Sequence, residues 1–236
     1  MKANGKIKVV ATDVDGTLTD KSYRISLKAI RIIRELEDNR VKVILISSRD
    51  FPGIVELAEF IGTCKVVVAE TGGVVGTWEN KIISEKTYTR EEVTRVMESL
   101  GFRPSHSNEY RHVDYAFHRT EMSKDVTEEE VIKALERAGI KNVEVFDSGF
   151  AVHVDPLGVN KGTGLMKALK MVGVKPEETL VVGDGKNDIP MIKLVKYSIA
   201  PSNANEEVKK AVTFVSDKFH GEVFEDVKKF VNLKIK

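Results

Sequence analysis

The sequence predicts an α/β protein, a parallel-sheet core with helices on both faces and a smaller α+β module inserted into it. Three observations point there. Short apolar runs ending in polar or glycine-rich turns recur along the chain, as buried parallel strands do. Segments of helical spacing lie between several of them, which is the alternation of an α/β layer. A middle stretch of different texture interrupts that alternation once, and a length of 236 residues suits one large core with an insertion better than two full domains.

The elements follow in order. The run Ile7 to Ala11 precedes a helix over Ser26 to Asn39, where Leu27, Ile30, Ile33 and Leu36 recur at helical spacing. Val41 to Ile46 is the next strand, Phe51 to Phe60 the next helix with Ile54, Val55, Leu57 and Ala58, and Val66 to Ala69 a third strand. From about Ile82 to His153, amphipathic helices over Arg90 to Leu100 and Thr127 to Ala138 mix with alternating strand-like stretches such as Asp114 to His118 and Val143 to Phe146. The turns Thr71-Gly72-Gly73 and Pro156-Leu157-Gly158 mark the neighbourhood of this insertion. The alternation then resumes with a helix over Thr163 to Val172 and strands Leu180 to Val182 and Ser198 to Ala200. We therefore expect a Rossmann-like core from residues 1–81 and 154–236, and an inserted α+β domain from residues 82–153. No internal repeat or low-complexity tract disturbs the pattern.

Composition narrows the function classes. The 37 basic and 36 acidic side chains nearly cancel, so no single-sign surface marks nucleic acid as the partner. The single cysteine, Cys64, lies in an apolar stretch and rules out an intrachain disulfide or a cysteine-rich zinc site. No run approaches the roughly 18 apolar residues of a membrane span, and Met1 to Lys6 leads into a strand-like segment without signal-peptide features. A reduced, cytoplasmic setting is the expectation. The chain has no glutamine and is rich in Lys and Glu, a bias that accompanies proteins from hot environments.

Chemistry concentrates at strand ends, where open α/β sheets place their sites. Asp13-Val14-Asp15-Gly16-Thr17 follows the first apolar run, and its glycine lets the backbone turn sharply behind two carboxylates. Gly183-Asp184-Gly185-Lys186-Asn187-Asp188 follows Leu180 to Val182 and adds two more carboxylates and an amide. Either motif alone reads equally as an acidic surface turn. Together, four acidic groups at two strand ends would repel one another unless a cation sat among them, and hard oxygen ligands suit magnesium. Ser47-Ser48-Arg49 after the second strand offers hydroxyls, and Lys161 in Asn160-Lys161-Gly162 adds a positive charge near a helix start that already favours anions. His106, His112, His118 and His220 show no metal-ligand spacing, and His153 alternates with apolar residues in a strand-like run. Arg111, His112, His118 and Arg119 lie in the insertion and could touch a substrate, although charged loops of this kind are more often just solvated.

The order Asp13-Val14-Asp15-Gly16-Thr17, Ser47, Lys161, Gly183-Asp184-Gly185-Lys186-Asn187-Asp188 resembles the four motifs of the haloacid dehalogenase superfamily. The tail Ser198-Ile199-Ala200-Pro201-Ser202-Asn203-Ala204-Asn205-Glu206-Glu207-Val208-Lys209 is similar to the segment after the fourth motif in its Cof-type branch. The insertion between Ser47 and Lys161 lies where that branch carries its cap domain, and the short cap and overall length look most like the archaeal phosphoglycolate phosphatases. Ser47-Ser48-Arg49 stands where the family often has Thr-Gly-Arg, and Pro201-Ser202 where Met-Gly is more usual. Serine keeps the hydroxyl.

The resemblance implies a magnesium-dependent phosphatase acting on a small phosphorylated metabolite, with neither nucleic acid nor membrane as partner, as a monomer or homodimer. Asp13 is then the nucleophile and Asp15 the general acid and base. Magnesium is held by Asp13, the main-chain oxygen of Asp15 and Asp184, with Asp188 completing or supporting the site and Asn187 supporting it. Ser47 and Lys161 hold the phosphoryl oxygens. The best-matching substrate is 2-phosphoglycolate. A sugar-phosphate phosphatase, a phosphomutase that returns the phosphoryl group to a sugar, and a non-catalytic phosphate-binding regulator are the rivals. A transporting ATPase of the superfamily would carry threonine where Asp15 stands.

Overall fold

The structure, a computed structural model, describes residues 7–231; the chain start read above, Met1 to Lys6, and residues 232–236 lie outside them. β1 (Val9–Asp13), α1 (Leu27–Asp38), β2 (Lys42–Ile46), α2 (Phe51–Ile61) and β3 (Val67–Ala69) wind outward as parallel β–α units. A short antiparallel extension, β4 (Val74–Gly76) and β5 (Lys81–Ile83), continues the sheet at that edge. After the insertion the chain crosses to the other side of β1 through α5 (Lys161–Val172), β10 (Thr179–Val182), α6 (Ile189–Ile192), β11 (Tyr197–Ala200), α7 (Glu206–Ala211), β12 (Phe214–Val215) and α8 (Phe224–Val231). The large sheet has the order β12-β11-β10-β1-β2-β3-β4-β5.

Each central strand is apolar on both faces because helices cover both. Val10, Val43, Leu45 and Leu180 pack against Ile33 and Leu36 of α1, Ile54 of α2 and Phe224 and Val227 of α8. Their neighbours Val9, Ala11, Ile44 and Val181 face Leu165 and Leu169 of α5, Met191 of α6 and Val208 of α7. This period-two split between two cores is why the strands read as continuous apolar runs. Helix starts are capped by side chains, with Ser26 accepting from Ala29 N and Asp50 from Gly53 N.

The inserted module contains α3 (Arg90–Ser99), β6 (Arg103–Pro104), β7 (Tyr115–His118), α4 (Glu128–Arg137), β8 (Val143–Asp147) and β9 (Val152–Pro156). Its four strands form a separate antiparallel sheet, β6-β7-β9-β8. Both helices begin with a capping box, Thr89 with Glu92 and Thr127 with Glu130. One face of the sheet closes a core of its own around Val93, Met97, Phe117, Leu135 and Val154. The other face presents Ala116, His118 and His153 toward the core domain. The expected boundaries 81/82 and 153/154 fall inside β5 and β9: β5 lies whole in the large sheet and β9 whole in the small one. Three-residue strands such as β4 and β5 carry too little periodicity to be told from a turn.

Asp155, near the end of β9, is 1% exposed, and neither carboxylate oxygen has a hydrogen-bond partner. Burial, reinforced by the charge of Asp114, pushes its carboxyl well above the usual range. Its contribution to stability is therefore fully present below the unfolded carboxyl value and lost as pH rises toward the folded one. Asp155→Asn, which cannot ionise, should melt close to the parent near pH 4 and several degrees above it near pH 8, by calorimetry. A melting difference that does not grow with pH would overturn this account.

Candidate active site

β2, β1 and β10 are adjacent parallel strands, in register at Asp13 with Ile46 and at Thr12 with Val182. The chain leaves β1 to one side and returns on the other, so the crevice beyond these strand ends is the topological switch point of the sheet. Asp13 ends β1, Ser47 follows β2, and Gly183-Asp184 follows β10. Two glycines make the convergence possible. Gly16 has φ +89°, and a Cβ there would lie 2.4 Å from Asp184 Oδ2; a Cβ on Gly183 would lie 2.6 Å from Asp188 Oδ2.

Lys161 stands at the start of α5, whose N-cap Asn160 accepts from Gly162 N and Thr163 N. Its side chain runs inward until it is 2% exposed, where Nζ donates to Asp13 Oδ1 at 2.5 Å and to Asp188 Oδ1 at 2.6 Å. The other oxygen of Asp188 accepts from the backbone N–H groups of Asp184 and Gly185, both at 2.9 Å. Asp188 thus ties the motif loop to Lys161. Thr17 Oγ1 donates to Asp184 Oδ1 at 2.6 Å.

Asp13, Asp184 and Asp188 each bring a carboxylate oxygen within 4.8 Å of the others. Burial pushes the Asp13 carboxyl well above its usual range; Lys161 opposes this, while Asp188 and Asp184 add to it. Burial and then Asp188 push Asp184 up to about 6. Burial disfavours the Lys161 ammonium, but Asp13 and Asp188 outweigh it and hold that group above its ordinary value. Three carboxylates against one ammonium leave two negative charges uncompensated when all are ionised. An all-oxygen donor set with that charge deficit fits a hard divalent cation.

Asp15 is outside this triad. Arg49 grips its carboxylate in a fork, Nε to Oδ2 at 2.8 Å and Nη2 to Oδ1 at 2.7 Å. Ser47 Oγ accepts from Arg49 N at 3.1 Å, and Asn187 Nδ2 donates to Ser48 Oγ at 3.3 Å. Asp13, Asp15, Ser47, Lys161, Asp184 and Asn187 all line one cavity of about 440 Å³. Asp188 lies behind it, with no exposure. The inserted module forms the opposite wall, and at the rim Tyr23 of the core meets Phe150 with ring centroids 5.3 Å apart.

Several participants carried no readable signal. The Gly16 carbonyl accepts from Asn203 Nδ2 and from His220 Nδ1, both at 2.9 Å, which fixes the turn behind Asp15. Asn203 lies in the tail segment that resembles the family; His220 follows it without any motif. Of the charged residues in the insertion, the cavity takes Arg111, His118 and His153, and neither His112 nor Arg119 lines it.

The family model for haloacid dehalogenase-like hydrolases matches residues 10–130 and 102–222. Phosphoglycolate phosphatase of Thermoplasma volcanium is 34% identical over 231 residues, covering 96% of this chain and 99% of that one. Phosphoglycolate phosphatase of Methanopyrus kandleri is 32% identical, covering 91% and 92%. A crystal structure of a Thermoplasma acidophilum protein superposes with a TM-score of 0.84 at 29% identity, covering 98% of this chain and all of that one. A haloacid dehalogenase-like hydrolase from Bacteroides thetaiotaomicron, with a TM-score of 0.78 at 20% identity over 95% of this chain and 99% of its own, shares the fold. The chain belongs to the haloacid dehalogenase-like hydrolases and is a phosphatase of that superfamily.

No helix among the described residues is long and apolar enough to cross a membrane.

Proposed function

We propose that the protein hydrolyses 2-phosphoglycolate to glycolate and phosphate, with the phosphoryl group carried transiently on Asp13 and with Mg2+ as the cofactor. The observation that carries this reading is the buried Asp13–Lys161–Asp188 chain with Asp184 beside it, under a cavity roofed by the inserted domain. The names of the relatives support the substrate.

Asp13, Asp184 and Asp188 are the residues to hold or support the ion, joined by the main-chain oxygen of Asp15. When bound, Mg2+ supplies the positive charge that lets a carboxylate approach a phosphate dianion. The chain's own residues do the rest. Lys161 and Ser47 orient the phosphoryl oxygens, Ser47 through a hydroxyl proton still free after Oγ accepts from Arg49 N. An Asp13 carboxylate oxygen attacks phosphorus while the P–O bond to glycolate breaks, and Asp15 gives its proton to the leaving oxygen. Asp15, now a carboxylate, takes a proton from water as that water attacks the same phosphorus; phosphate leaves and Asp13 is regenerated. In the resting protein Arg49 holds Asp15 as the carboxylate at the cavity wall, so Asp15 leaves that fork and takes up a proton from solvent before it serves as the acid. Asn187 steadies the Ser48 side of the phosphoryl grip.

The test is phosphate release from a panel of small phosphomonoesters with Mg2+. Phosphoglycolate should have the highest kcat/KM. Phosphate released with no acceptor present excludes a phosphomutase, while no turnover of any ester would leave only the regulator.

Metal binding has its own signature. Because Asp184 protonates near 6 and Asp13 also resists ionisation, Mg2+ must displace protons to bind. Calorimetric titration should find affinity falling as pH drops through about 6, with proton release on binding. Equal affinity at about pH 5 and about pH 8 would remove these carboxylates from the metal site.

A further inference from the structure

The cavity is divided by charge. Its acidic lining residues, Asp13, Asp15, Asp50 and Asp184, all come from the core domain. The inserted domain contributes Arg111, His118 and His153, several serines, two alanines and Phe150, and no carboxylate. The core wall is equipped for a metal and a phosphoryl group, so the opposite wall faces the remainder of the substrate. Serine hydroxyls on that wall could meet a sugar as well as an acid, but its one fixed charge, the Arg111 guanidinium, is positive and suits an anion.

Arg111 is built into this wall rather than lying on it. Its side chain is 5% exposed and makes three directed contacts: Nε to Ser107 Oγ at 3.0 Å, Nη1 to Asp114 Oδ2 at 2.6 Å and Nη2 to Ser48 O at 3.0 Å. The last contact crosses between domains and places the guanidinium one residue from Ser47. Of the five N–H groups of the fork, two remain, one on each terminal nitrogen. Asp114 is shared, because the same carboxylate also accepts from His153 Nδ1 at 2.9 Å. His118 Nδ1 lies 3.3 Å from the Phe150 carbonyl, which can only accept, so that nitrogen carries hydrogen and the neutral ring presents a lone pair at Nε2, leaving the anion to Arg111. Among the described residues its Nε2 has no partner.

We propose that Arg111 binds a second anionic group of the substrate, a carboxylate a few bonds from the phosphorus, and is the specificity determinant of the site. This rests on the phosphatase reading above and names the part of the protein that selects phosphorylated short hydroxy acids over neutral phosphate esters.

The experiment compares phosphoglycolate with 2-hydroxyethyl phosphate, which has the same skeleton and no carboxylate, in the parent, Arg111→Met and Arg111→Lys proteins, all with Mg2+. In the parent, phosphoglycolate should be preferred by about 100-fold in kcat/KM, the size of a charge-assisted pair. Arg111→Met should raise KM for phosphoglycolate by about that factor and leave the neutral ester within about threefold. Arg111→Lys keeps a charge beside Asp114 and so guards against a folding artefact; it should lose most of the preference because the fork is gone. A parent that shows no preference overturns the phosphoglycolate reading itself. A parent that prefers phosphoglycolate, with Arg111→Met and Arg111→Lys keeping that preference intact, overturns the role of Arg111 alone.

Discussion

Asp13→Asn should reduce turnover by about 10⁴-fold or more while leaving a folded protein, measured by phosphate release and by circular dichroism. The amide is nearly isosteric with the carboxylate but is a poor nucleophile, and no second carboxylate can take its place. Asp188 is engaged through both oxygens, by Lys161 on one side and the Asp184 and Gly185 amides on the other. Asp184 is held by Thr17, and Asp15 is held in the fork of Arg49. The fold tolerates the change because Lys161 keeps its contact with Asp188, and removing one of three clustered carboxylates lowers the local repulsion. The melting temperature without metal should therefore not fall. No phosphorylated protein should be trapped by acid quench. Near-normal turnover in this variant would show that the phosphoryl group never passes through Asp13.

The layout of the site was legible because its chemistry sits where buried strands end. Apolar runs located β1, β2 and β10 to within about two residues, and the acidic motifs directly after them could only lie in one crevice once the sheet was parallel. Lys161 is a harder case. A lysine at a helix start is ordinarily solvated; here it is buried because two carboxylates from different loops meet its ammonium, a three-body arrangement that no local window contains. The same holds for His220 and Asn203, 204 and 187 residues from the Gly16 carbonyl they share. In the insertion, His153 could be placed in a strand by its alternation with Val152 and Val154 but not assigned a face. That face depends on the pairing of β9 with β7 and on Asp114, a buried carboxylate reached across 39 residues. The antiparallel pair β4 and β5 escaped notice for a simpler reason, since three exposed residues in β5 carry no burial pattern at all.

Lys161→Met should be the second most damaging change, and its signature is a separation of stability from activity. The side chain is almost completely buried and is the ammonium that faces both Asp13 and Asp188. Methionine fills much of the same volume without the charge, so three carboxylates are left together with only backbone amides and the Thr17 hydroxyl as partners. Removing one partner of a buried ion pair costs about 3–5 kcal/mol, so the metal-free variant should melt well below the parent. Mg2+ supplies the missing positive charge, and saturating metal should recover most of the loss by calorimetry. Activity should stay down by about 10³-fold even then, because the ion cannot also replace the ammonium that fixes a phosphoryl oxygen. Asp188→Asn added to Lys161→Met removes one of the stranded charges and should restore stability without metal, again without activity. Equal melting temperatures for Lys161→Met and the parent in the absence of metal would mean that the buried lysine is not the countercharge of this cluster. Activity restored by Mg2+ alone would mean that it does not hold the phosphoryl group.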